Sequence, residues 1–349
     1  MTKLFFTLIL SLSIFFSAEN PPLVKITKFR TTGLDCSWDP DGSDKIVYSM
    51  KGKDGFYDLY LSDMNGTFDT CLTANSKILP NKHICCPSWF PNGKWIVFLA
   101  EKEKHDGSST DALPGFGAYC DIWMMSADAK KIYKLVDIPN DYDHGVILPK
   151  ISPDGKHIEW TNRVVRPKIM NPKQQAGYWS INYADFDFGK DSIPEVKNVR
   201  VYQPGDTCFH ECYGFSPDGN KLVFCSDYKT NNFLLENIFT IDTDGKNLTQ
   251  LTDGDYNEHS VYTPDGKHIV WMSNKDNKNH GTDWWMMNAD GTNKVRLTYF
   301  NDKKNSMYAG KAIWTGLVSF SPDGKKFIGG VQKSLITQEG YIVMGEFLR

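Results

Sequence analysis

At 349 residues, with a formal net charge of −3 and no basic block, the chain lacks the clustered Lys/Arg footprint that nucleic-acid phosphates require. Charged residues make up 23% and hydrophobic ones 40%, the ordinary balance of a soluble globular protein. The 16 Tyr, 21 Phe and 10 Trp are expected mostly between packed sheets.

Lys3 precedes an apolar run from Leu4 to Phe16, and Ser17-Ala18 follow as small residues. A positive start, a short apolar stretch and a small-residue exit predict a secretory signal peptide over 1–18. The run is too short to span a bilayer comfortably. The expected location is therefore secreted or periplasmic, with no stable membrane span once the signal is cleaved. Eight cysteines in that compartment could pair, with Cys208, Cys212 and Cys225 close in sequence and Cys85-Cys86 adjacent. Their spacing is not a zinc pattern. A disulfide and a set of small apolar core slots both remain open.

Past this leader, Leu23 to Phe29 reads as a strand with no unit of its own. Then one turn recurs six times: Asp39-Pro40-Asp41-Gly42, Phe90-Pro91-Asn92-Gly93, Ser152-Pro153-Asp154-Gly155, Ser216-Pro217-Asp218-Gly219, Thr263-Pro264-Asp265-Gly266 and Ser321-Pro322-Asp323-Gly324. Pro presets φ, Asp caps its own backbone and Gly takes φ > 0, the chemistry of a tight hairpin. A β-rich run follows each copy: Lys45–Tyr48, Trp95–Phe98, His157–Trp160, Lys221–Phe224, His268–Trp271 and Lys326–Ile328. A third strand is predicted at Asp58–Leu61, Asp121–Met124, Tyr178–Ile181, Asn237–Thr240, Asp283–Met286 and Tyr341–Met344. Outer strands are expected at Asp69–Leu72, Lys131–Val136, Asn247–Leu251 and Asn293–Thr298, several after an Asn-Gly or Asp-Gly turn. The Asp242–Asn247 stretch hints at a calcium loop but reads better as such a hairpin.

Successive turn prolines are separated by 51, 62, 64, 47 and 58 residues, which is the size of a propeller blade. The sixth unit stops after its third strand, so the N-terminal strand is expected to complete it. Such pairing leaves no open edge between first and last sheets. The predicted fold is all-β, a six-bladed β-propeller of four-stranded antiparallel blades forming one domain over 23–349. Tyr262 to Trp271 and Met287 to Asn293 resemble TolB-type propeller repeats, and the resemblance covers essentially the whole chain after the leader. It implies the fold rather than the job, since that repeat type serves binding, scaffolding and catalysis alike. No Gly-x-Ser-x-Gly elbow supports a serine hydrolase.

In such a ring the Pro-Asp-Gly and Asp-Gly turns share one stereotyped face. Length variation falls on the other, in Glu101–Tyr119, Arg163–Gly177 and Lys275–Thr282, where binding is expected. His83, His144, His210 and His259 all precede a turn proline by five to nine residues. Glu211 lies six residues before Pro217 and Glu258 six before Pro264, so the two carboxylates are expected to face one central channel from adjacent blades. His83, His144, His210, Glu211, Glu258 and His259 are the candidate ligand-binding set, with Asp35 and Asp255 as possible additions. His210, Glu211, Glu258 and His259 are also candidate ligands of a divalent metal (Mn²⁺, Zn²⁺, Fe²⁺ or Ca²⁺).

Two functions are open. One is a monomeric, non-catalytic propeller binding a protein, peptide or carbohydrate on its looped face and funnel, with Phe116, Tyr119 and Trp179 as aromatic platforms. The other is a metal-dependent enzyme acting on acidic polysaccharide. Oligogalacturonate lyases are propellers of similar repeat type with a metal held by histidines, and the His/Glu set resembles that arrangement.

Overall fold

The computed structural model describes residues 22–165, 176–205, 207–278, 280–334 and 338–348. The 1–18 leader and part of the Arg163–Gly177 insertion lie outside them. No helix among the described residues is long and apolar enough to cross a membrane.

The six repeated turns each close a hairpin, and six antiparallel sheets of four strands result. Blade 1 is β2 (Leu34–Trp38), β3 (Lys45–Lys51), β4 (Tyr57–Asp63) and β5 (Asp69–Cys71). Blade 2 is β6 (Ile84–Trp89), β7 (Trp95–Glu101), β8 (Cys120–Ser126) and β9 (Ile132–Val136). Blade 3 is β10 (Gly145–Ile151), β11 (His157–Val165), β12 (Tyr178–Phe188) and β13 (Pro194–Tyr202). Blade 4 is β14 (His210–Phe215), β15 (Lys221–Ser226), β16 (Asn237–Asp242) and β17 (Thr249–Gln250). Blade 5 is β18 (Asn257–Tyr262), β19 (His268–Ser273), β20 (Asp283–Asn288) and β21 (Val295–Arg296). Blade 6 joins β22 (Trp314–Phe320), β23 (Lys326–Gln332) and β24 (Gly340–Phe347) to the N-terminal β1 (Val24–Arg30).

Closure is direct. Strand β1 runs antiparallel to β24, with Val24 opposite Phe347 and Thr27 opposite Met344. The first strands of successive blades pack side by side from β2 through β6, β10, β14 and β18 to β22, and β22 returns to β2. The chain is thus a six-bladed propeller whose innermost strands encircle one axis.

The turn chemistry is visible atom by atom. The Gly155 N–H donates to the Ser152 carbonyl at 2.8 Å, and Gly155 takes φ 72°. Ser152 Oγ donates to Asp154 Oδ1 at 2.6 Å, and Thr263 and Ser321 repeat that bond to Asp265 and Asp323. Outer strands β17 and β21 are two residues each, shorter than the sequence suggested. Asn247 and Asn293 explain the loss, since each takes a left-handed φ (55° and 52°) and so belongs to the turn.

Aromatic residues fill the seams between blades. Phe98, Phe224, Phe239, Phe327, Trp271 and Trp284 are fully buried; each such Phe contributes about 1.5–3 kcal/mol of burial. Trp284 lies so close over Gly329 that a Cβ there would sit 2.5 Å from its ring, which is why β23 carries glycine at that point. None of the eight cysteines is joined in a disulfide, and seven are buried.

Candidate functional site

Each inner strand carries a break in register near its start. In four blades this bulge places a non-glycine residue at positive φ five positions before the turn proline: Asp35 (44°), Cys86 (55°), Leu148 (52°) and His259 (52°). A bulge interrupts the strand's two-residue alternation and re-aims a side chain. That is how Glu258 and His259, neighbours in sequence, both face the axis.

The axis opens into a cavity of about 980 Å³, whose walls include Phe116, Trp179, Phe209, Phe233, Tyr256 and Trp314. Four carboxylates (Asp35, Asp111, Glu211 and Glu258) line it against one guanidinium, Arg163. Arg163 is engaged with backbone carbonyls, donating to those of Tyr142 at 2.8 Å and Asp143 at 3.2 Å. The cavity is therefore acidic at its base and aromatic along its sides.

Of the residues singled out from the sequence, Asp35, Glu211, Glu258 and His259 line this cavity together. His210 does not. Strand alternation sends it away from Glu211, fully buried with its ring edge-on to Phe224 at 5.9 Å. Burial pulls its pKa down to about 4, so it is a neutral imidazole at neutral pH. His83 is buried at the seam between blades 1 and 2, where its Nδ1 accepts from the Tyr57 N–H at 3.1 Å. His144 is partly exposed and bonds Asp141 through Nδ1 at 2.7 Å. Asp255 sits 3.9 Å from Lys275 and is not part of the lining.

Behind the cavity wall, at the seam of blades 4 and 5, lies a set that sequence reasoning reached only in part. Glu211 on β14 is the cross-strand partner of Cys225 on β15. Glu258 comes from β18, and Glu236 immediately precedes β16. All four are buried, Glu236 and Cys225 completely. The Cys225 thiol donates to Glu236 Oε2 at 2.8 Å, the Tyr213 hydroxyl lies 2.9 Å from its sulfur, and the Tyr256 hydroxyl donates to Glu258 Oε2 at 2.7 Å. Burial, reinforced by the neighbouring Glu258 charge, pushes the Glu211 and Glu236 carboxyls well above the usual range. Glu236 carried one available signal: it is the only charge in a slot held by Tyr57, Cys120, Gly177, Thr282 and Gly340 in the other blades.

A second buried acid lies one seam along, where blade 3 packs on blade 4. Glu159 on β11 is the cross-strand partner of Lys150 on β10, beside the Cys212 thiol, and burial raises its pKa to about 8. Asp35 is likewise raised by burial, partly offset by His259, Cys86 and Lys150.

Comparison with known proteins bears on the fold. A TolB from Acinetobacter baumannii superposes with a TM-score of 0.55 at 18% identity, covering 88% of this chain and 64% of its own. The chain has a TolB-like propeller fold. An oligogalacturonate lyase from Vibrio parahaemolyticus superposes with a TM-score of 0.53 at 11% identity over 95% of both chains. In sequence, an uncharacterized peptidase, YuxL, of Bacillus subtilis is 24% identical over 157 residues, 40% of this TolB-like chain. The chain spans about a fifth or less of the length of the curated relatives it matches. No family model matches it.

Proposed function

We propose that the chain is an exported, non-catalytic binding propeller that admits a peptide segment into its central cavity from the looped face. The cavity carries this reading. Its volume suits a few residues of chain, its aromatic walls offer apolar contact, and its base of Asp35, Glu211 and Glu258 recognises a hydrogen-bond donor or a cation. Among the described residues, the lining holds no serine or cysteine nucleophile beside a base, which favours binding over acyl transfer. The N-terminal run of Leu4 to Phe16 supports export.

The lyase reading is weaker on partners for the substrate. A uronate carboxylate would find one guanidinium in the lining, Arg163, and that is already bonded to backbone carbonyls. A metal held by several histidines also fits poorly, since His259 is the one histidine among the described residues that lines it. Incubating the immobilised protein with a random hexapeptide library, and separately with oligogalacturonate, decides between them. Peptides enriched on the wild type and lost on Phe233→Ala/Trp179→Ala support the proposal. Retention of oligogalacturonate instead, or peptide enrichment indifferent to those substitutions, refutes it.

A further inference from the structure

The seam between blades 4 and 5 gathers more negative and proton-bearing groups than it neutralises. Donor atoms of Glu211, Glu258 and Cys225 all lie within 4.8 Å of one another. Each comes from a different strand: β-pairing sets Glu211 opposite Cys225, and the packing of β18 on β14 and β15 brings Glu258 to them, so no loop sets their spacing. Glu236, fully buried, points at the same thiol, and its second oxygen, Oε1, has no hydrogen-bond partner. Among the described residues, no lysine or arginine pairs with Glu211, Glu236 or Glu258. The nearest cationic candidate is His259 Nε2, 3.9 Å from Glu258. Buried carboxylates elsewhere in proteins are paired or coordinate a metal.

We propose that Glu211, Glu258 and Cys225 form a binding site for a divalent metal of borderline softness, of the Zn²⁺ class, with an open position toward the central cavity. One sulfur and two carboxylate ligands separate this class from Mg²⁺ and Ca²⁺, which prefer all-oxygen shells. On binding, the Cys225 S–H bond breaks as the sulfur–metal bond forms, and that proton, with any held by the ligand carboxyls, leaves to solvent by way of the cavity. Two carboxylates and one thiolate face the dication. The Tyr256 and Tyr213 hydroxyls orient Glu258 and the sulfur, the supporting role that outer hydrogen bonds play around metals. Since Glu211 and Glu258 also line the cavity, a bound metal would offer its open position to whatever enters from the looped face.

The test is a Co²⁺ titration of the full chain, followed by absorption and then displaced with Zn²⁺. Stoichiometric binding with a thiolate-to-cobalt charge-transfer band in the near ultraviolet is expected. Cys225→Ser should abolish the band while leaving a weakened site, and Glu211→Gln/Glu258→Gln should abolish binding. Tyr256→Phe, which leaves every ligand in place and should fold normally, should weaken binding about tenfold. Absence of stoichiometric binding by the folded wild type overturns the proposal, and so does a band that survives Cys225→Ser, since seven other cysteines could supply it. The readout needs no peptide, so its failure and the failure of the binding reading are separate results.

Discussion

Two buried acidic centres, at neighbouring positions where the third strands of blades 4 and 5 begin, serve two different ends. Asp283 opens the third strand of blade 5, and Glu236 stands one residue before the third strand of blade 4. Every lone pair of Asp283 is engaged. Its Oδ2 accepts from Arg296 at 2.7 Å and Asn277 at 2.9 Å, and its Oδ1 from the Thr298 hydroxyl at 2.9 Å and the Phe300 N–H at 2.7 Å. Those bonds tie the outer strand and the following loop to the blade, so Asp283 acts as a lock. Among the described residues Glu236, Glu211 and Glu258 have no such lysine or arginine, Glu236 Oε1 is left without a partner, and Glu211 and Glu258 open on the cavity. A centre complete in itself stabilises; one left incomplete is poised for something from outside.

Asp283→Ala carries the largest expected effect. It strands the Arg296 guanidinium, whose side chain is only 10% exposed, and should cost about 3–5 kcal/mol in denaturant unfolding. A loss below about 1 kcal/mol would show that Asp283 does not lock the blade.

Glu159 extends the contrast to a third acid and adds a pH signature. Its folded pKa of about 8 lies above the unfolded value, so the folded state holds the proton more tightly. Stability from this group is complete below the unfolded value of about 4.5 and is lost as pH rises through 8. Lys150 and Cys212 are the groups facing it. Glu159→Gln should change little at pH 4.5 and stabilise by on the order of a few kcal/mol at pH 8.5. A gain of equal size at both pH values would show that desolvation of the ionised form is not its source.

Phe116→Ala should have the smallest effect on folding. Phe116 is 38% exposed at the cavity rim, so unfolding should shift by less than about 0.5 kcal/mol while peptide retention falls. Unchanged retention would place the binding surface elsewhere.

The ring was legible because its signal is local and repeated. A Pro-Asp-Gly turn fixes a hairpin wherever it occurs, and six in phase leave few alternatives. Glu211 and Glu258 were legible for the same reason, since a common offset from the turn proline puts both at one height on neighbouring inner strands. His210 shows the limit. One residue of strand alternation separates the cavity from the interior: His210 takes the place of Asn257 in blade 5, one residue before the lining carboxylate, whereas His259 follows it on the bulge. Cys225 and Glu236 were hidden differently. Their meeting depends on cross-strand register and on how one blade leans against the next, and neither property leaves a mark in a linear spacing.

The acid group of blades 4 and 5 is a site rather than a strut. The most direct measurement is equilibrium denaturant unfolding of Glu211→Gln/Glu258→Gln beside Asp283→Asn, both free of added metal. The double variant should match the wild type or exceed it by about 1–2 kcal/mol, because its like charges are relieved, while Asp283→Asn falls well below. If the double variant instead loses as much as the Asp283 variant, the carboxylates are holding the ring together and the site does not exist as described.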